Sequence, residues 1–288
     1  MQLGGQAFFC GIAMRRCERA ALAVSTNKGI EVSVRSDKKC VPKARFLRGL
    51  YPYAYAFRDS FLLLYEWLTL KSGADKRRGL IKAILFYTAL AAFIFAAVCG
   101  VCALYDFAAE KLLPVGLDSG LFDAAFFAVL LSLAVLIMRL LPPVRRLFRF
   151  HAAEHMVINC VEAGEKPTVD NARTFSRIHP RCGTVIVTSI IITALILAAI
   201  MPGFLPEFIR ELTFIVGMTV SVIITRRLVK GSGKSRLCRL LIWPGLAAQK
   251  ITTLPPENIM LECAVLAAKA LLTPEPSCSK AAKSRTFS

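Results

Sequence analysis

The sequence predicts a mainly α-helical integral membrane protein with about four transmembrane helices, a small N-terminal β-rich segment and a cytoplasmic helical hairpin. Three observations lead there. The 288 residues are 56% hydrophobic, with a mean hydropathy of +0.56, too apolar a balance for a water-exposed surface. Ala83–Tyr105 and Cys182–Pro206 carry no charge over 23 and 25 residues, each long enough as a helix to cross a hydrocarbon core of roughly 30 Å. Lys and Arg number 37 against 19 Asp and Glu, a net charge of +18, and they crowd into particular loops. This composition excludes a disordered regulator and a secreted disulfide scaffold. No aromatic-interleaved basic groove or DNA-binding motif accompanies the positive charge, so no nucleic-acid partner is expected.

Residues 1–45 form the N-terminal cytoplasmic segment. QAFFCGIAM reads as one strand; ALAVS and IEVSVR follow as two more, joined by a TNKG turn longer than the ideal two-residue loop. MQLGGQAFFCGIAMRRCERA lacks the uninterrupted apolar core of a signal peptide, so no part is expected to be removed. Residues 46–78 are aromatic and apolar with Arg48, Arg58 and Asp59 interspersed, which predicts an amphipathic helix on the membrane surface, kinked near Pro52.

Residues 79–144 supply the first transmembrane pair. Its second member, Leu121–Leu141, is charge-free from Ala124 to Met138, and the flanking Asp123 and Arg139 can reach an interface. Residues 183–227 supply the second pair. There the last span has only 14 uncharged residues, Leu212–Thr225, with Thr213, Gly217, Ser221 and Thr225 at four-residue spacing. Small residues in such a stripe let helices approach closely, which predicts an internal span; a short re-entrant segment is the alternative.

Residues 228–272 are cytoplasmic and interfacial. KGSGKS at Lys230–Ser235 ends like a phosphate loop, but Leu228 stands where the first glycine belongs and no strand precedes it, leaving a flexible basic linker. Leu237–Lys250, with Trp243 and Pro244, is expected at the interface, and Ile259–Leu271 as a last helix. Residues 273–288 read as a disordered tail.

Charge orients the spans. The loop between the first two holds four acids and one lysine, a net −3; the loop between the last two holds two acids and one arginine, a net −1. The remainder therefore carries +22. The positive-inside rule places both termini and the central loop in the cytoplasm, with the bilayer and its anionic headgroups as partners. Most of the ten cysteines then lie where thiols stay reduced, and the Cys99–Cys102 pair inside the first span reads as two small packing residues.

The three histidines, His151, His155 and His179, all fall in the 145–182 loop. His151 and His155 are four apart, hence on one helix face with about 6 Å of rise between them, a spacing at which two imidazoles can share a metal ion. Glu154 between them completes H-x-x-E-H, the inverted zincin pattern, in which the glutamate is general base toward water. A first helix is expected over Val144–Ala163, capped at Gly164, then a ten-residue helix starting at Pro167–Thr168 with Thr168 as N-cap. Its return of about 15 Å would bring His179 level with the pair, and Cys182 would be a fourth ligand or a thiolate nearby. Glu162 shares the helix face but lies about 10 Å beyond His155, too far for one ion. The expected cofactor is a divalent metal, most simply zinc. His₃ with an open position suits hydrolysis and His₃Cys a closed structural site, and spacing alone does not choose.

GGQA at Gly4–Ala7, FLRGL at Phe46–Leu50, FHAAEH at Phe150–His155, EAGE at Glu162–Glu165, FSRIHPRCGT at Phe175–Thr184 and PGLAAQKITTLPP at Pro244–Pro256 resemble the YqhQ-like family of bacterial membrane proteins. That resemblance implies a multi-span inner-membrane protein with a cytoplasmic histidine site, and members carry the label of predicted metal-dependent enzymes. The matching positions are His151, Glu154, His155, His179, Arg181 and Cys182, together with Gly4, Gly5 and Gln6. The family's N-terminal motif resembles GGQA-x-x-EG, and this chain has Cys10 where that Glu would be, implying either a softer ligand there or a site lacking that acid.

Two functions follow as expectations. The first is a metal-dependent hydrolase at the cytoplasmic face. His151, His155, His179 and Cys182 would hold the metal, Glu154 would activate water, and Arg181 would steady an anionic intermediate or phosphate. A site beside the bilayer implies an amphiphilic substrate: a lipid, a lipid-linked precursor or a membrane-protein segment. The second is a non-catalytic membrane scaffold with a structural metal. A transporter fits worst, because the spans hold no central ionisable residue and no broken helix pair.

Overall fold

The computed structural model describes residues 3–16, 19–27, 29–36, 45–72, 75–112, 119–201, 205–231 and 235–272. The described residues are mainly helical, with one small antiparallel sheet. It divides into two compact units, one from residues 1–86, 142–177 and 253–288, the other from 87–141 and 178–252. The expected tail, 273–288, lies outside the described residues.

The first unit is built on a four-stranded meander, β1 (Gly4–Phe8), β2 (Gly11–Arg16), β3 (Arg19–Thr26) and β4 (Gly29–Ser36), in the order β1-β2-β3-β4. QAFFCGIAM is therefore two strands, turned at Phe9–Cys10. The β3–β4 pairing ends with Thr26 opposite Gly29. Gly29 has φ +124°, a value open to glycine.

Alternation assigns the two faces of the sheet. Ile12, Met14, Ala21 and Ala23 enter one core with α4 (Pro142–Glu162) and α10 (Asn258–Leu272); Ala13, Leu22 and Val24 enter another with Leu63 of α1 (Arg45–Lys71). A sheet covered on both sides needs apolar residues at successive positions, which is why GIAM and ALAV are continuous apolar runs. The apolar stripe of α1 thus lies on the sheet, and the helix runs unbroken through Pro52. Phe9 extends this layer, with its ring 5.7 Å from that of Trp67 and 6.1 Å from that of Phe86.

Among the described residues, three helices, α2 (Lys76–Leu112), α6 (Gly183–Ile200) and α7 (Glu207–Gly231), are long and apolar enough to cross a membrane. All of the expected span Leu121–Leu141 except Leu141 falls in the helix α3 (Ser119–Leu140). Within the second unit, Tyr105 of α2 stacks among Phe122, Phe126 and Phe127 of α3. The small-residue stripe of α7 meets α6. A Cβ on Gly217 would reach the Leu197 side chain, Ser221 bonds Ser189 and Thr193 at 2.9 Å, and Thr225 bonds Ser189 at 2.5 Å. Thr213 instead returns its hydroxyl to the Ile209 carbonyl. Cys99 and Cys102 are exposed on α2, not set in a helix contact, and the seven described cysteines form no disulfide.

Candidate functional site

Helix α4 carries the H-x-x-E-H segment of the first unit. Pro142 and Pro143 open it, where missing N–H groups cost nothing. Gly164, at φ +87°, closes it: Gly164 N–H donates to Val161 O and Glu165 N–H to Cys160 O, the paired bonds of a Schellman cap. Thr168 then caps the next helix, accepting from Asn171 N at 3.1 Å. That helix, α5 (Val169–Arg173), has five residues, so most of the expected ten-residue return is made by non-helical chain. Two side chains of α4 hold this chain in place. Asn159 donates to Ser176 O at 2.7 Å, and the His155 ring meets Arg177 O at 2.6 Å.

The second contact defines the histidine's chemistry. A carbonyl only accepts, so Nδ1 of His155 carries a proton, and in the neutral ring the lone pair is then on Nε2. The His151 ring lies 4.3 Å away, centroid to centroid, at 63°. His155 is buried and His151 half-buried. Glu154 is buried as well, 6% exposed. Its carboxylate lies against Gly5 of β1, where a Cβ would approach Oε1 to 2.7 Å. Gly5 therefore makes room for the glutamate, and the sheet backs the histidine helix at that point. Its neighbour Gln6 points to the opposite face and bonds Ser60 of α1. Glu162 is exposed at the end of α4.

His179, Arg181 and Cys182 belong to the second unit. His179 is buried, and burial lowers its pKa. Its backbone is clamped by one amide: His179 N–H donates to Gln249 Oε1 and Gln249 Nε2 donates to His179 O, both at 2.9 Å. Gln249, fully buried on α9 (Trp243–Thr252), is a residue that the spacing argument missed, although it lies inside the PGLAAQKITTLPP motif. The same helix approaches α6 at Gly245, where a Cβ would stand 2.7 Å from Val185 Cα. Cys182 caps α6, its sulfur accepting from Thr184 N, and burial raises its thiol pKa. Arg181 is exposed. After α7, Ser235 caps α8 (Arg236–Leu241), accepting from Cys238 N.

Cys10, where the resemblance implies an acid, takes no part in this arrangement. It is buried with Leu22, Val24 and Leu63 in the layer under α1, with its thiol toward Leu63 O, whereas Glu154 adjoins the other face of the sheet. Burial pushes its thiol up to about 12, far from a thiolate ligand.

The family model described as "Protein of unknown function (DUF1385)" matches residues 46–274. The chain belongs to this family. It is also 30% identical over 149 residues to "Uncharacterized protein YqhQ" of Bacillus subtilis (strain 168), a match covering 50% of this chain and 46% of that relative. The match thus spans about half the length of each. No solved structure matches the chain. Of the motifs of this DUF1385 member, GGQA has a physical account: Gly5 admits Glu154, Gln6 ties β1 to α1 and Ala7 enters the core.

Proposed function

We propose that this DUF1385 member is a multi-pass protein of the bacterial inner membrane, with four spans and both termini cytoplasmic. In this reading it is a metal-dependent hydrolase acting on an amphiphilic substrate at the cytoplasmic face. The observation that carries the reading is the His151–His155 pair with the Nδ1 of His155 fixed on Arg177 O. Metal-binding histidines characteristically spend their second nitrogen in this way, which fixes the tautomer and raises the basicity of the donor nitrogen. A donor set of imidazoles beside a carboxylate suits zinc.

In this proposal His151 and His155 are ligands, and the chain leaving Arg177 supplies His179 and Cys182. Cys182 follows Arg177 by five residues, a reach of at most about 17 Å. When bound, the metal supplies Lewis acidity, lowering the pKa of water and polarising a carbonyl or phosphoryl oxygen. Glu154 accepts the proton, and its burial against Gly5 keeps the carboxylate in one place. Arg181 offers a positive charge to an anionic group of the substrate.

A structural metal in a non-catalytic scaffold is the second reading, favoured by the low exposure of His155 and Glu154. Elemental analysis of detergent-purified protein tests both, comparing wild type with His151→Ala/His155→Ala. About one metal per chain in wild type alone is the expected result under the assigned ligands. No metal in wild type after reconstitution with zinc, manganese and iron would overturn both readings.

A further inference from the structure

Within the second unit, one face of α6 and one face of α7 border a cavity of about 240 Å³. Val185, Thr188, Ser189, Ile192 and Thr193 line it from α6, at the three- and four-residue spacing of a single helix face. Ser221, Ile224, Thr225 and Leu228 do the same from α7. Val185 and Thr193 are eight positions apart, so the cavity runs about 12 Å along α6. Leu241, Ile242 and the start of α9 complete it.

The walls are of two kinds. Hydroxyls of Thr188, Ser189, Thr193, Ser221 and Thr225 form the polar one, and the rest is apolar; among the described residues no charged side chain lines the cavity. Ile192, Ile224 and Leu241 are 36%, 51% and 55% exposed, which makes the rim apolar.

Proton counting leaves the polar wall with donors to spare. Thr193 donates to Ser221 and Thr225 to Ser189, which spends both threonine protons. Ser189 and Ser221 meet at 2.9 Å, and one proton serves that contact. A hydroxyl carries a single proton. Whichever serine donates there, the other keeps an O–H with no acceptor among the described residues. Thr188 makes no hydrogen bond among the described residues, so its O–H is a second donor at the same wall. Ser221 is 7% exposed and Thr225 3%, so the network is buried, where an unmet donor is costly.

We propose that this cavity binds the ester group of a neutral acylglycerol, with the adjoining acyl chain against the apolar wall. An ester carbonyl accepts hydrogen bonds and donates none, which complements two spare O–H donors. The uncharged walls select against a charged headgroup, because an unpaired buried charge is costly. At about 240 Å³ the cavity is smaller than the roughly 300–1,000 Å³ of a small-molecule pocket, so it takes part of a lipid and leaves the remaining chain in hydrocarbon. The site rests on the reading of α6 and α7 as membrane spans, and it is independent of a metal at His151 and His155.

The test uses the full-length chain in detergent, with dioleoylglycerol as probe and native mass spectrometry as readout. Two controls accompany it: the dialkyl ether analogue, which lacks the ester carbonyls, and phosphatidylcholine, which adds a charged headgroup. Dioleoylglycerol is expected to bind wild type at least about two- to tenfold more tightly than either control, the worth of one neutral hydrogen bond. Thr188→Val and Ser189→Ala/Ser221→Ala are each expected to weaken its binding by a similar factor. Thr219→Val removes an α7 hydroxyl that bonds Ile215 O and does not line the cavity, and it leaves binding unchanged. No binding to wild type, which a cavity holding only water would give, overturns the proposal. So does equal binding of either control, wild-type binding by both cavity variants, or equal loss in Thr219→Val. Should the serine double variant fail to fold, Thr188→Val carries the comparison alone. Alkaline carbonate treatment of membranes, run in parallel, separates the two readings: release of the chain overturns the spans and the site together, whereas a retained chain that binds no probe overturns the site alone.

Discussion

Gly5 of β1 and the Glu154 carboxylate of α4 occupy adjoining space, close enough that a methyl group on Gly5 would stand 2.7 Å from Oε1 and 2.9 Å from Cδ. The glutamate is buried and cannot swing aside into water. Gly5→Ala is therefore expected to cost about 1–3 kcal/mol, the usual range for overpacking. The diagnostic is coupling: in a Glu154→Ala background the same substitution becomes nearly neutral, because the obstructing carboxylate is gone. Equal loss of thermal stability in both backgrounds would show that the contact does not explain the glycine.

Glu154 separates the hydrolase from the scaffold. Glu154→Gln keeps the shape and removes the base, so zinc content is expected to stay at wild-type level while turnover of an amphiphilic ester or phosphoester falls by about 100-fold or more. His151→Ala removes a ligand, so it loses the metal. Equal loss of metal in both variants, read by elemental analysis, would make Glu154 a ligand or a structural acid and end its assignment as base.

How much of this was legible beforehand depends on the range of the contact. Gly164 and Thr168 cap as expected, since caps are set by a few adjacent residues. The helices and the pairing of His151 with His155 also follow from local periodicity. The length of α5 does not, because Asn159 and His155 bind the Ser176 and Arg177 carbonyls and hold the following chain outside a helix. Neither does the place of Cys10. A motif aligns it with an acid, but strand alternation and the turn at Phe9–Cys10 put it in the layer beneath α1. The clustering of Arg15, Arg35 and Arg58 on Asp59 needs the sheet register, to which hydropathy is blind.

Gln249 has a role that its sequence context alone conceals. One buried amide satisfies both the N–H and the carbonyl of His179. Gln249→Leu leaves two buried backbone groups without partners, at a cost of about 1–3 kcal/mol each. The melting temperature is expected to fall, and metal affinity with it, if His179 is a ligand. A variant that melts lower yet binds metal as tightly as wild type would remove His179 from the ligand set.

Cys10 and Cys263 give the alkaline behaviour a definite sign. Burial raises both thiols from 9.0 to about 12 in the folded chain. The folded state therefore holds these protons more tightly than the unfolded state. The stability they contribute is complete below pH 9 and is lost as pH rises from 9 toward 12. Denaturant unfolding between pH 8 and pH 10.5 is expected to show a falling midpoint, with a shallower fall in Cys10→Ala. Iodoacetamide at pH 8 should leave both thiols unmodified in folded protein and label them in urea, because alkylation requires the thiolate. Labelling of Cys10 in the folded chain at the rate of the partly exposed Cys238 would contradict its burial beneath α1.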